Sequence, residues 1–344
     1  MKAVVKTRPE PGNVEYIDVP EPEAGEGRVV IEVQAAGICG TDIHIFKSEY
    51  LIQPPVTLGH EFTGEVVEVG AGVSRIQVGD RVTVNPSAGK LCGECRYCRI
   101  GAPFFCMDRA ALGSGIDGGF ARLCGVREEI VLPLPEAVDY ELGALTEPFA
   151  CALQAVVELT EILPGELVVV SGPGPIGLMC MLLARAHGAR VAMLGTTADA
   201  DRLSVASRLG ADPVIDVESE NAQEIIEGLT EGYGADVVLE CSGANASVNQ
   251  CLQVVKKLGR YTQVGLFGFP VQIDLDEIVK KQLHVQGSMC HTWETWRRTL
   301  SLMEQGSIDL SPLITGKLPL DRWEEGFDKV INREGAKVLL HPGA

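Results

Sequence analysis

The apolar positions follow one rhythm over the first 150 or so residues and another beyond Leu167. Val29-Val30-Ile31 and Val66-Val67-Glu68-Val69 read as strands, as does the opening Met1-Lys2-Ala3-Val4-Val5-Lys6. Gly-rich turns separate these runs and predict a mostly β region over residues 1–150. Leu167-Val168-Val169-Val170 is instead a continuous apolar run, the mark of a strand covered on both faces. A helical stretch over 178–188 follows it, then strands at 190–194, 214–215, 237–239, 264–267 and 285–287. A further helix at 200–209 is closed by Gly210. Strands alternating with helices at this interval predict an α/β unit with a doubly wound parallel sheet over 151–285. A helix at 321–327 and a strand at 337–340 close the pattern.

The 344 residues suffice for two domains, each with its own core. A formal charge of -18 repels phosphate backbones and argues against nucleic acid as a partner. No run approaches the roughly 20 apolar residues of a membrane span, and the opening residues lack the apolar core of a signal peptide. A cytoplasmic location with no membrane partner is the expectation.

Cysteine changes the picture most. Five of the eleven precede position 107, and four of those form C-G-E-C-R-Y-C-R-I-G-A-P-F-F-C at 92–106. Cys92, Cys95, Cys98 and Cys106 can converge on one tetrahedral ion, which predicts a closed structural zinc site. The alternatives are an iron–sulfur cluster or four unrelated thiols. The lack of a Pro after Cys106 and of a second cysteine set weighs against the cluster. A second constellation combines Cys39 between turn residues with His60-Glu61 ahead of a strand. One thiol, one imidazole and one or two carboxylates make a set that leaves room for substrate.

The motifs G-I-C-G-T-D-I-H at 37–44, G-H-E-F-T-G-E-V-V-E-V-G at 59–70, V-G-D-R-V at 78–82 and the four-cysteine segment occur in that order. Together they resemble the zinc-containing medium-chain dehydrogenases, in particular the sorbitol (polyol) and threonine dehydrogenase branch, over essentially the whole chain. The resemblance implies a GroES-like barrel over 1–150, completed by 286–344. It implies a catalytic zinc on Cys39 and His60, with Glu61 a ligand or a near-ligand that exchanges with water. Glu147, before Pro148, matches the remaining ligand, bound directly or through water; Cys151, one helical turn on, competes with it. Thr41 and His44 match a relay that carries the alcohol proton away. The family further implies a homodimer or homotetramer.

The second half carries G-x-G-x-x-G as Gly172-Pro173-Gly174-Pro175-Ile176-Gly177, between a strand and a helix. Gly172 permits the turn, Gly174 lets backbone approach a pyrophosphate, and Gly177 lets helix and strand pack closely. The helix start at Pro175-Ile176 favours anionic oxygens. At the end of the second strand, where an acidic residue usually binds the ribose, stands Gly195-Thr196-Thr197. Thr196, Thr197 and Arg202 can accommodate a ribose phosphate, and Asp199 can reach a hydroxyl, so the cofactor is NAD or NADP. Phe120, Trp293 and Trp296 are candidates for a substrate pocket or for core.

The expected reaction is hydride transfer from a secondary alcohol (a polyol, sugar or diol) to the nicotinamide, with two zinc ions per chain. L-threonine oxidation is the alternative substrate reading. A zinc-free enone or quinone reductase, a non-catalytic cofactor-binding protein and a zinc-ribbon nucleic-acid binder are the other classes weighed. The metal motifs, the intact Gly172 loop and the acidic charge speak against them in turn.

Overall fold

The computed structural model describes residues 1–343. They form two compact units, Met1–Pro148 with His291–Ala344, and Phe149–Cys290.

The first unit is built on a sheet whose path runs Ile314–Pro319, Lys337–His341, Arg28–Gly37, Glu61–Val69, Arg81–Val84 and Val131–Pro133, with Leu123–Arg127 also pairing with Arg28–Gly37. Arg28–Gly37 is central, and its burial follows from that position. Glu61–Val69 covers one edge, while Leu123–Arg127 and Lys337–His341 share the other, at opposite ends. The register sets Glu61 opposite Gly37, two residues before Cys39. Two widely separated motifs are thereby brought to one corner of the sheet.

Ile31, Val33, Phe62, Val66, Phe120, Phe327 and Val338 fill the core of this unit. Complete burial of one such side chain contributes about 1.5–3 kcal/mol. Phe327 meets Trp323 edge-on at 5.1 Å and Phe46 at 6.0 Å, pinning the helix Gly40–Phe46 beneath the helix-bearing tail. Phe120 and Trp296 are both fully buried, so of the three aromatic residues considered for a pocket these two are core. A smaller sheet pairs Lys2–Lys6 with Val14–Asp18 and Val56–Thr57.

The second unit holds six parallel strands in the spatial order Val214–Asp216, Arg190–Gly195, Leu167–Ser171, Ala235–Glu240, Val255–Gln263, His284–Gly287. In chain order this is 3-2-1-4-5-6, the doubly wound Rossmann arrangement. Two expectations are corrected here. The strand anticipated at 264–267 lies earlier, at Val255–Gln263. Its Lys256, Lys257 and Gly259 disguise it, since only Val255, Gly259, Tyr261 and Thr262 of its residues are buried. The apolar run after it leaves the sheet: the amides of Val264 and Gly265 both donate to the Glu240 carbonyl at 2.8 Å, and Leu266 is 60% exposed. The domain boundary expected after residue 285 also moves, because Gln286 and Gly287 end the last parallel strand.

Candidate metal centres and dinucleotide loop

Cys39 stands at the N-terminus of the helix Gly40–Phe46, and its backbone amide donates to Asp42 Oδ2 at 2.8 Å. That bond folds the turn so that the thiol leaves the helix end. Glu61 opens the strand opposite, with His60 just before it. The thiol, imidazole and carboxylate of Cys39, His60 and Glu61 offer ligand atoms that all lie within 4.8 Å of one another.

The surroundings fit a cation. Glu61 is fully buried; its Oε2 accepts from Lys337 Nζ at 2.6 Å, while its Oε1 has no hydrogen-bond partner among the described residues. An orphaned buried carboxylate oxygen is costly unless something positive meets it. His60 Nδ1 lies 3.5 Å from Asp42 Oδ1, an ion-pair distance, and that buried oxygen makes no hydrogen bond among the described residues. Burial opposes charge on His60, yet Asp42 and Cys39 outweigh it and raise the imidazole pKa well above its ordinary value. The corner therefore draws in positive charge. Burial also raises the pKa of Glu61, against the pull of Lys337 and His60.

Lys337 is a residue that sequence reasoning missed. It is 2% exposed, and its ammonium also donates to the Ile38 carbonyl at 3.1 Å. Burial would lower its pKa, but Glu61 and Cys39 raise it, so the ammonium persists. Gly37 makes room for the pair, because a Cβ there would stand 2.2 Å from Glu61 Oε2. The only signal in the sequence was a lysine opening an apolar strand. Asp42, inside the G-I-C-G-T-D motif, had gone unassigned in the same way.

Glu147 lies on the helix Thr146–Leu153, with Cys151 one turn later. It does not belong to the converging trio; its Oε1 is 3.7 Å from His291 Nε2, and it is near enough to Glu61 and Lys337 to raise the pKa of both. Thr41 Oγ1 is 3.7 Å from Cys39 Sγ, and His44 Nδ1 is 2.8 Å from Glu49 Oε2 in a half-exposed pair.

The second cysteine group converges fully. With Zn–S bonds of about 2.3 Å, the edge of a regular tetrahedron is about 3.8 Å. The sulfur pairs Cys92–Cys98, Cys95–Cys98 and Cys92–Cys106 stand 3.9, 3.6 and 3.5 Å apart. Backbone amides of Cys92, Cys95 and Cys98 donate to the sulfurs of Cys106, Cys92 and Cys95, which favours thiolate. The Cys98 amide is the largest cause that brings Cys95 down to about 6, while desolvation pushes Cys98 up to about 12.

In the second unit the helix begins at Pro175, three residues earlier than its apolar pattern indicated. Proline at the first helical position needs no amide partner and has a preset φ. Gly172 has φ of +101°, and a Cβ on Gly177 would stand 1.9 Å from the Gly172 carbonyl oxygen. A Cβ on Gly174 would meet nothing within 4 Å, which leaves its backbone open to a ligand. The second-strand loop is tied to carboxylates. Thr196 Oγ1 donates to Asp199 Oδ2 at 2.7 Å, and Thr197 Oγ1 donates to Asp216 Oδ2 at 2.7 Å. The Thr197 amide donates to Glu218 Oε2 at 3.0 Å, and buried Arg202 lies 4.0 Å from Asp199.

The sequence matches known families in both halves. The profile of the alcohol dehydrogenase GroES-like domain covers residues 25–136, and that of the zinc-binding dehydrogenases covers 175–305. The chain is 41% identical over 343 residues to a sorbitol dehydrogenase of Halalkalibacterium halodurans, covering 99% of both chains. It is 40% identical to a D-arabitol-phosphate dehydrogenase of Enterococcus avium, over 99% of this chain and 97% of the other. A provisionally assigned zinc-binding dehydrogenase from Sinorhizobium meliloti 1021, bound to NADP, superposes with a TM-score of 0.90 at 33% identity over 99% of each chain. The chain belongs to the zinc-binding alcohol dehydrogenases with a GroES-like domain. Within that family it is an NAD(P)-dependent oxidoreductase acting on CH–OH groups, in the branch that holds the sorbitol and arabitol-phosphate enzymes.

Proposed function

We propose that the chain oxidises a secondary alcohol flanked by further hydroxyls, a polyol, sugar or diol, with NAD as acceptor. The observation that carries this reading is the Cys39–His60–Glu61 corner with its orphaned Glu61 oxygen, in a chain whose relatives are named for polyols. Cys39, His60 and Glu61 hold a catalytic zinc, with Glu147 as the further carboxylate, and Cys92, Cys95, Cys98 and Cys106 hold a structural one. Zinc in the first site supplies a Lewis acid for the alcohol oxygen, and the dinucleotide supplies the hydride acceptor. Asp42 and Lys337 fix His60 and Glu61 in place. Thr41 Oγ1 takes up the alcohol proton and passes it towards His44, whose pairing with Glu49 at the surface gives the proton an exit. Gly172, Gly174, Pro175, Ile176 and Gly177 receive the pyrophosphate. Thr196, Thr197 and Arg202 border the adenosine ribose. With Asp199, Asp216 and Glu218 all bonded to or beside them, an added ribose phosphate meets like charge, which favours NAD over NADP.

The working form is a homodimer. His284–Gly287 is an edge strand exposed at every residue, and the neighbouring helix Asp276–Lys281 packs Ile278 against the core while leaving Val279 78% exposed. Such an edge is a ready template for a second copy. Among the described residues no helix is long and apolar enough to cross a membrane. A reducing compartment, the cytoplasm, keeps the ligand thiols available.

A spectrophotometric screen tests the reading by crossing NAD and NADP with sorbitol, xylitol, arabitol, butanediol, polyol phosphates and threonine. Reduction of NAD with a polyol or diol is the expected result. Turnover with threonine alone would overturn the substrate class, and turnover with NADP alone would overturn the ribose argument.

A further inference from the structure

Glu240 ends the fourth strand of the parallel sheet, directly beside Ser171 at the end of the first. These two strands flank the point where the strand order reverses, and dinucleotides lie outside the carboxyl ends of the strands at such a point. Glu240 is fully buried and no part of the chemistry above uses it.

Its carboxylate gathers donors from the loops that rim this place. Oε1 accepts from the Ser242 amide at 3.0 Å, the Ser242 hydroxyl, the Gly243 amide at 3.2 Å and Ser247 Oγ at 2.7 Å. Oε2 accepts from the Gly243 amide at 3.1 Å and from Gln263 Nε2 at 2.6 Å. Ser247 Oγ also lies 2.7 Å from Ser171 Oγ, which carries the network back to the residue preceding Gly172. The main chain repeats the pattern, with the Cys241 amide on the Ser171 carbonyl at 2.8 Å.

The loops so joined touch closely. A Cβ on Gly172 would stand 2.7 Å from the Ser242 nitrogen, and one on Gly265 would stand 2.3 Å from the Gly243 nitrogen and 2.8 Å from Glu240 Oε2. The position of the Gly172 turn is thus set by Ser242–Gly243, which is set by Glu240, which also fixes the segment after the fifth strand. An ionised carboxylate suits this role because it accepts at both oxygens and donates at neither. We propose that Glu240 is a positioning residue for the dinucleotide: it locks the three loops at the switch point into the shape that binds cofactor. The inference rests on the reading that the Gly172 loop receives the pyrophosphate.

Glu240→Gln and Ser247→Ala test it in the full-length, zinc-loaded protein. Titration with NADH, followed by nicotinamide fluorescence, gives the dissociation constant; zinc content and thermal unfolding are measured beside it. Leaving buried donors unmatched should weaken NADH binding about tenfold or more in Glu240→Gln. Ser247→Ala removes one link, and a loss of about threefold is expected. KM for cofactor should rise while KM for the alcohol and the zinc content stay put, a split that general loosening of the fold does not produce. If Glu240→Gln does not fold, Ser247→Ala decides alone. A folded variant that binds NADH within twofold of the parent overturns the proposal. Failure of the parent itself to bind NADH would instead remove the cofactor reading on which it rests.

Discussion

Replacing Lys337 with Met isolates the buried ion pair behind the metal corner. The change removes the ammonium 2.6 Å from Glu61 Oε2 and leaves the Ile38 carbonyl without its 3.1 Å donor, in a space that a methionine stem fills. Both partners are essentially inaccessible, so Glu61 is left either charged and unpaired or forced to take a proton. Removing one partner of a buried pair costs about 3–5 kcal/mol. The first unit comprises residues 1–148 and 291–344, about 200 in all, for which each kcal/mol moves the melting temperature by about 2–4 °C. In zinc-stripped protein the variant should therefore melt about 6–20 °C below the parent. With zinc present the loss should be smaller, because the ion meets the carboxylate that Lys337 no longer neutralises. The stabilisation gained on adding zinc should then be larger in the variant than in the parent. Paired thermal scans of stripped and loaded protein measure all four corners of this cycle. A stripped variant within about 1 kcal/mol of the parent, or an equal loss in both states, would refute the argument that Lys337 compensates Glu61.

Three further outcomes are expected. Cys39→Ser should reduce turnover by at least about 10³-fold while circular dichroism and NADH binding stay unchanged; retained activity would remove Cys39 from the metal site. Within the four-cysteine group of zinc-stripped protein, Cys95, at about 6, should be alkylated first at neutral pH and Cys98, at about 12, last, as peptide mapping would show. The reverse order would defeat the account of amide-stabilised thiolate. Backbone amides of Arg75 and Ser74 hold the Glu128 carboxyl below its ordinary value, so the stability it adds is complete above the unfolded value and is lost as pH falls through the folded one. Denaturation of Glu128→Gln against the parent should show a gap that narrows from pH 6 towards pH 3, and a constant gap would contradict it.

The convergence of Cys39, His60 and Glu61 was legible because short motifs carry it. Cys39 and His60-Glu61 are recognisable as residue types in tight turns, and the Gly37–Glu61 register then brings them together. Lys337 was not legible, since its meaning depends on a pairing across 276 residues of sequence. The parallel sheet was readable where strands are buried on both faces, as at Leu167–Ser171, and was misplaced at Val255–Gln263, whose lysines and glycine break the apolar run. The apolar run at 264–267, half-buried except for exposed Leu266, stood in for it because hydrophobicity was used as a proxy for strand position. Glu240 carried no signal at all: a lone acid after an apolar strand reads as the strand's solvent end until the loops around it are placed.

The closing of the first sheet by Lys337–His341 has a bearing on how the protein is made. Glu61 emerges from the ribosome 276 residues before the lysine that neutralises it. At about 5–20 residues per second, that interval is roughly 14–55 s. Throughout it the nascent GroES-like region lacks the strand that closes the Cys39–His60–Glu61 corner, while the whole parallel-sheet unit is synthesised in between. Free thiols and an uncompensated carboxylate are therefore open to whichever ions and chaperones they meet first. Translation that stops before residue 337 yields a chain with the whole parallel-sheet unit and an unfinished Cys39–His60–Glu61 corner.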